Sequence, residues 1–337
     1  MNGFVYVQTN DADQNEVVVF ARRPDGTLER RGAYLTGGTG SGEPHLPSQS
    51  SLVLADGRLL VTNARSDDVT LFAVEGERLV AVDRVASGGS TPRSVAVRGG
   101  YAYVLNTGDD PNVAGFELEG DRLVSLKDSI RALPAGSDPA QVAYSPDGRT
   151  LLVTDRADRI HAFAIGADGT VQSLVTHPSS GATPYGFDIT ADGVLVVTEA
   201  AGAQVGKASA SSYKLDRPGQ LALVSGAVGS TRSEVCWAVI SKDGRIVFVT
   251  NFGDGTISTY EIEHDGSIEL REAVAATTID GQPGIRDEAL SSDGRYLYAL
   301  HADTGQVFSW EVRGDGTLAA LGSANGLPLT AAGLAAS

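Results

Sequence analysis

Hydrophobic positions along this chain alternate instead of recurring at helical spacing. Between Glu234 and Thr278 the apolar and β-branched residues fall into four short runs, Cys236 to Ile240, Arg245 to Val249, Thr256 to Ile262 and Ile268 to Val274. In the third, Ile257, Thr259 and Glu261 share one face while Ser258, Tyr260 and Ile262 share the other, the period of two that a strand requires. Lys242-Asp243-Gly244 and His264-Asp265-Gly266 separate the outer pairs of runs. Asp-Gly between β-rich runs marks a hairpin, because a tight turn needs residues that tolerate positive φ. No 3.6-residue period competes, so the segment predicts a four-stranded sheet.

The same pattern returns along the chain. The turn after the first strand falls at Asp56-Gly57, Gly99-Gly100, Asp147-Gly148, Asp192-Gly193, Asp243-Gly244 and Asp293-Gly294, at intervals of 43 to 51 residues. Four strands at this period are the signature of propeller blades. Six copies are complete, and the termini supply a seventh. Phe4 to Asn10 matches a second strand, followed by Glu16 to Arg22 and Leu28 to Leu35, so blade one lacks its first strand. The short apolar tail Ala331 to Ser337 is predicted to supply it, closing the ring and removing two sheet edges. The expectation is an all-β, seven-bladed β-propeller over residues 1–337, one domain, because single blades cannot bury their own faces.

Composition narrows the function classes. Lys and Arg number 26 against 42 Asp and Glu, a formal charge of −16. Such a field repels phosphate backbones and anionic membranes, so neither nucleic acid nor membrane is an expected partner. One cysteine, Cys236, leaves no intrachain disulfide. Nothing at the N-terminus reads as a leader, and no apolar run is long enough to span a bilayer, so a cytoplasmic monomer is expected.

In a propeller, the segments that begin first strands and end second strands meet on one face near the axis, where a small-molecule pocket is expected. The segment Thr36 to Ser51 is Gly-rich but lacks the strand–loop–helix setting and Lys of a phosphate loop, which leaves His45 and Gln49 as its candidates. Blade three offers Arg93, and blade four offers Gln141, Asp138, Asp155 and Arg156. Blade five offers Tyr185 and Glu199, followed by a small-residue stretch, Gly202 to Ser211, that reads as a lid. Blade six offers Cys236, Trp237 and Phe252; blade seven offers Arg286, Asp287 and His301. Cys236 would need a histidine to act as a nucleophile, and burial on an inner strand is the competing reading. Acidic loops such as Asp11 to Asn15 resemble metal loops in composition only, so no metal is expected. No nucleotide, flavin or haem motif is present, and no cofactor is expected.

The repeated Ser-Pro-Asp-Gly-Arg turn, the Val-Thr-Asn strand end and the Thr-Ile-Ser-x-Tyr third strand resemble those of lactonase-type seven-bladed propellers, which include 6-phosphogluconolactonases and carboxy-cis,cis-muconate cyclases. The resemblance implies a site on the face just described. Its His-x-His element is matched by Asp138 and Ala140, so that histidine is missing. Its Pro-Arg-His is matched by Pro184-Tyr185-Gly186, and its Asn-Arg-Gly by Asn251-Phe252-Gly253, while the glutamate is kept as Glu199 and the seventh-blade arginine as Arg286.

Phosphorylated substrates need several fixed cations, best supplied as arginine forks. Replacing two arginines by Tyr185 and Phe252, beside Trp237, therefore predicts a less charged ligand than a sugar phosphate. The resemblance implies a hydrolase or isomerase acting on a small lactone or related carbonyl compound. Glu199 would act as acid/base, and Arg286 would orient the substrate from across the axis. Glu199 could instead pair with Arg286 or a turn amide. The alternative function is a non-catalytic propeller binding a small ligand or protein on the same face.

Overall fold

The computed structural model describes residues 3–44, 46 and 49–337. Seven antiparallel sheets form in it. The turns explain the sheets locally. Ser145 donates to Asp147 Oδ1 at 2.6 Å, that oxygen also accepts the Arg149 amide, and the Thr150 amide donates to Ser145 Oγ. Gly148 meanwhile takes φ of 72°. Side chains thus replace the ladder bonds lost at the corner. The same hydroxyl–carboxylate pair closes Thr190–Asp192, Ser241–Asp243 and Ser291–Asp293.

Blade six shows the plan: Val235–Ile240, Ile246–Asn251, Thr256–Ile262 and Ile268–Thr277 lie side by side in chain order. Its second strand runs through Asn251 and its fourth through Thr277, beyond the ends expected from the sequence. Ring closure is as predicted: Ala332–Ala336 pairs with Phe4–Gln8, Val5 opposite Ala336 and Val7 opposite Leu334. Blade three departs from the plan, its outer edge broken into Arg122–Ser125 and Arg131–Ala132.

The core lies between blades. Phe187, Leu195 and Val197 of blade five pack on Leu152, Ile160 and Ala162 of blade four. Each such side chain contributes about 1.5–3 kcal/mol on burial, which no isolated blade could obtain. Among the described residues, no helix is long and apolar enough to cross a membrane.

A second repeated device ties blades two to six together. Second strands end on buried Asn63, Asn106, Asp155, Glu199 and Asn251, and each side chain clamps the third strand beside it. Asn63 Nδ2 donates to Asp68 and Thr70, Asn106 Nδ2 to Asn112, and Asn251 Nδ2 to Thr256 and Ser258. Asp155 meets His161 Nε2 at 2.9 Å, while His161 Nδ1 meets the Thr176 hydroxyl.

Candidate active site at the axial mouth

The first strands of blades three to seven carry a bulge at the same place. Pro92 pairs with Asn106, Pro139 with Asp155, Pro184 with Glu199, Val235 with Asn251 and Ile285 with His301, and each register then slips. The first residues in these slips are Arg93, Ala140, Tyr185, Cys236 and Arg286. A bulge re-aims side chains that a flat ladder would point between sheets. These positions therefore gather around the mouth of the axis.

Arg286 is the buried cation there. Its Nη1 donates to the Pro44 carbonyl, its Nη2 lies 3.3 Å from Asp303 Oδ1, and its guanidinium sits 4.9 Å over the Phe252 ring. Two further arginines are also paired: Arg156 with Asp138, and Arg232 with Asp254 at 3.6 Å. Arg156 covers the Tyr185 ring, which packs at 4.8 Å on Trp237. Burial and the nearby Arg156 charge lower the pKa of Arg93, against the pull of Glu43 and Asp138.

Several candidate residues serve the scaffold. Glu199 Oε1 accepts the Gly181 amide at 2.7 Å and the Ser211 hydroxyl at 2.6 Å, and Oε2 accepts Ser209 at 2.7 Å. Among the described residues no hydrogen bond or ion pair joins it to Arg286; of the two partners that its structural alternative allowed, the turn amide is the one it meets. Those serines begin a strand, Ser209–Arg217, so the stretch expected as a lid is shortened to the connection from residue 200 to 208, with one 3-10 turn at Ala201–Ala203. Gln141 bridges blades, Nε2 donating to Phe187 O and Oε1 accepting Phe187 N. Gln49 does the same to Ala238, 189 residues away. From the segment after blade one, Pro44 meets Arg286 and Leu46 packs on Ala64 and Ala332. His45 lies outside the described residues.

Trp237 is 1% exposed and belongs to the core between blades five and six. Burial pushes the Cys236 thiol up to about 12, so it stays protonated near neutral pH, as the buried reading required. Burial lowers the pKa of His301, whose Nδ1 meets Thr304 Oγ1. Asp287 turns toward blade one and feels the Gly333 amide. Among the described residues, no three His, Cys, Asp or Glu side chains are grouped to hold a metal ion.

A cavity of about 580 Å³ opens beside this cluster, lined by Val205, Gly206, Arg232, Glu234, Phe252 and Pro283. The blade-five connection thus forms one wall. Phe252 lines this space and carries Arg286 over its ring, while Arg286 and Asp303 themselves stand behind the lining. Asp303, in the turn that ends blade seven's second strand, went unnoticed in the sequence. The signal available was the His-Ala-Asp-Thr-Gly turn at the place where other blades end in Asn.

A family profile described as "Lactonase, 7-bladed beta-propeller" matches residues 99–205 and 197–323. A 6-phosphogluconolactonase from Sodalis glossinidius is 38% identical over 127 residues, which cover 35% of this chain and 37% of that protein. One from Yersinia pestis is 29% identical over 151 residues, 41% of this chain and 45% of that protein. The matches therefore span less than half the length of these curated relatives. Among solved structures, a Lactobacillus plantarum protein superposes with a TM-score of 0.79 at 16% identity, covering all of both chains. The periplasmic gluconolactonase of Pseudomonas aeruginosa gives 0.74 at 19% identity, over 99% of this chain and 98% of that one. At such identities these structures speak for the fold. Profile, repeats and ring together place the chain in the lactonase family of seven-bladed β-propellers.

Proposed function

We propose that the chain is a lactone hydrolase working in the cavity beside Phe252. The observation that carries this reading is Arg286, held by Asp303 and stacked on the aromatic ring that borders the cavity. A fixed guanidinium beside a lactone carbonyl stabilises the oxyanion formed when water adds. Asp303, two-fifths exposed, takes the proton of that water. The ring C–O bond then breaks, the ring oxygen recovers the proton, and a hydroxy acid leaves. In this reading Glu199 is a structural clamp and not the acid/base group, because its oxygens are occupied by its own blade.

The substrate proposed is a small lactone without a phosphate. Arg156, Arg232 and Arg286 each already hold a carboxylate, so a phosphate would have to displace those partners. The names of the curated relatives favour a second reading, a phosphorylated sugar lactone. A pH-stat assay of glucono-1,5-lactone, an aromatic lactone and 6-phosphogluconolactone separates the two. Turnover of the neutral lactones, lost in Arg286→Ala and in Asp303→Asn, supports the proposal. Preference for the phosphate ester overturns the substrate assignment, and no turnover of any of the three favours a ligand-binding propeller.

A further inference from the structure

At the other end of the axis, where first strands reach their Asp-Gly turns, a cavity of about 1080 Å³ opens. Its inner walls are Tyr144, Asp188, Ile189, Val239, Ile240 and Leu290. Asp188 accepts the amides of Ile189 and Ile240, both at 2.8 Å. Glu288 immediately precedes Ala289 and Leu290, which also line the space. It is 3% exposed and not itself a lining residue; the Thr250 amide is the one donor it feels, and neither of its carboxylate oxygens makes a well-formed hydrogen bond among the described residues. Asp287 Oδ1 and the Tyr144 hydroxyl are likewise buried without one.

The three carboxylates are close enough to disturb one another. Burial, then Asp188 and Asp287, raise the pKa of Glu288 well above the usual carboxylate range. A buried, unpartnered carboxylate is costly unless a cation or donor satisfies it. Lys242 acts on Asp188 through space but forms no ion pair among the described residues. The acids do not converge as a metal site would. Arg98, Lys242 and Arg245 also line the cavity, with Asp192, Asp243, Glu261 and Glu263; the apolar walls and tyrosine ring near Asp188 fit a different cation, one that brings its own hydrophobic body.

We propose that this funnel binds an organic ammonium: a protonated amine turned toward Asp188 and Glu288, its apolar or aromatic body against Tyr144, Ile189, Ile240 and Leu290. The protein's charge of −16 favours the approach of such a cation. The cavity opens at the opposite end of the axis from the one beside Phe252 and shares no lining residue with it, so it is independent of the lactone reading.

Calorimetric titration of the full chain at pH 8 tests it, with 2-phenylethylammonium as the probe. The neutral 2-phenylethanol and the anionic 3-phenylpropionate are its shape controls. The ammonium is expected to bind at least about tenfold more tightly than either control, the equivalent of one modest ionic hydrogen bond. Glu288→Gln, which exchanges one oxygen for nitrogen, is expected to weaken it about tenfold with no loss of thermal stability. Asp188→Asn provides a second charge deletion, and Leu290→Trp fills the cavity and abolishes binding. Equal binding of the alcohol, unchanged affinity in Glu288→Gln, or undiminished binding in Leu290→Trp would each overturn the assignment, as would absence of heat with the ammonium at about 100 times the protein concentration.

Discussion

Replacing Glu199 distinguishes a clamp from a catalyst. Its carboxylate is 0% exposed and accepts the Gly181 amide, the Ser209 and Ser211 hydroxyls and, at 3.4 Å, Ser179. The approach is so close that a Cβ on Gly181 would stand 2.2 Å from Glu199 Oε2. In Glu199→Ala, the Gly181 amide and the serine hydroxyls lose their acceptor. A buried donor left without a partner costs about 1–3 kcal/mol. The serines can turn toward other acceptors and the amide cannot, so the sum expected is about 3–5 kcal/mol. Glu199→Gln keeps one oxygen for Gly181, and its NH2 can donate to a rotated serine, so about 1–2 kcal/mol is expected. Equilibrium urea denaturation followed by tryptophan fluorescence reads both values. Turnover of the best lactone should stay within a few-fold of wild type in Glu199→Gln. Glu199→Ala within about 0.5 kcal/mol of wild type would refute the clamp. A loss of about 10²-fold in Glu199→Gln at full stability would restore the acid/base role.

Other expectations follow from the same contacts. Burial raises Asp287 to about 6, so the folded protein keeps this proton where the unfolded chain has lost its own. Stability from this group is therefore present at low pH and lost as pH rises from about 4 through about 6. Asp287→Asn should gain on wild type over that window by up to about 3 kcal/mol in urea titrations, and parallel pH profiles would contradict this. Cys236, with its thiol pushed up to about 12, should resist Ellman's reagent in the native state and react at once in urea. Deleting residues 332–337 removes the strand opposite Phe4–Gln8 and bares an edge; the expected result is a loss of several kcal/mol and self-association in light scattering.

Blade architecture was legible in the sequence because it is local. Alternation, Asp-Gly turns and a 43- to 51-residue period act within a few residues of one another, and even ring closure followed from counting strands. The clamp role of Glu199 was half legible. Asn63, Asn106 and Asn251 hold the same place in their blades, and Ser209-Ala210-Ser211 follows Glu199, but a nine-residue connection hid which strand those serines joined. Other facts depend on closure of the ring. Gln49 bonds to Ala238 across 189 residues, and Pro44 meets Arg286 across 242. The same closure leaves Glu288 beside the buried acids Asp188 and Asp287, with only the Thr250 amide to oppose them. The run Ile285-Arg286-Asp287-Glu288-Ala289-Leu290 reads as a strand of mixed polarity whichever way its side chains point. A strand's period of two assigns faces but not neighbours. Only the packing of seven blades around one axis decides which of those charges meets a partner and which is buried beside other acids.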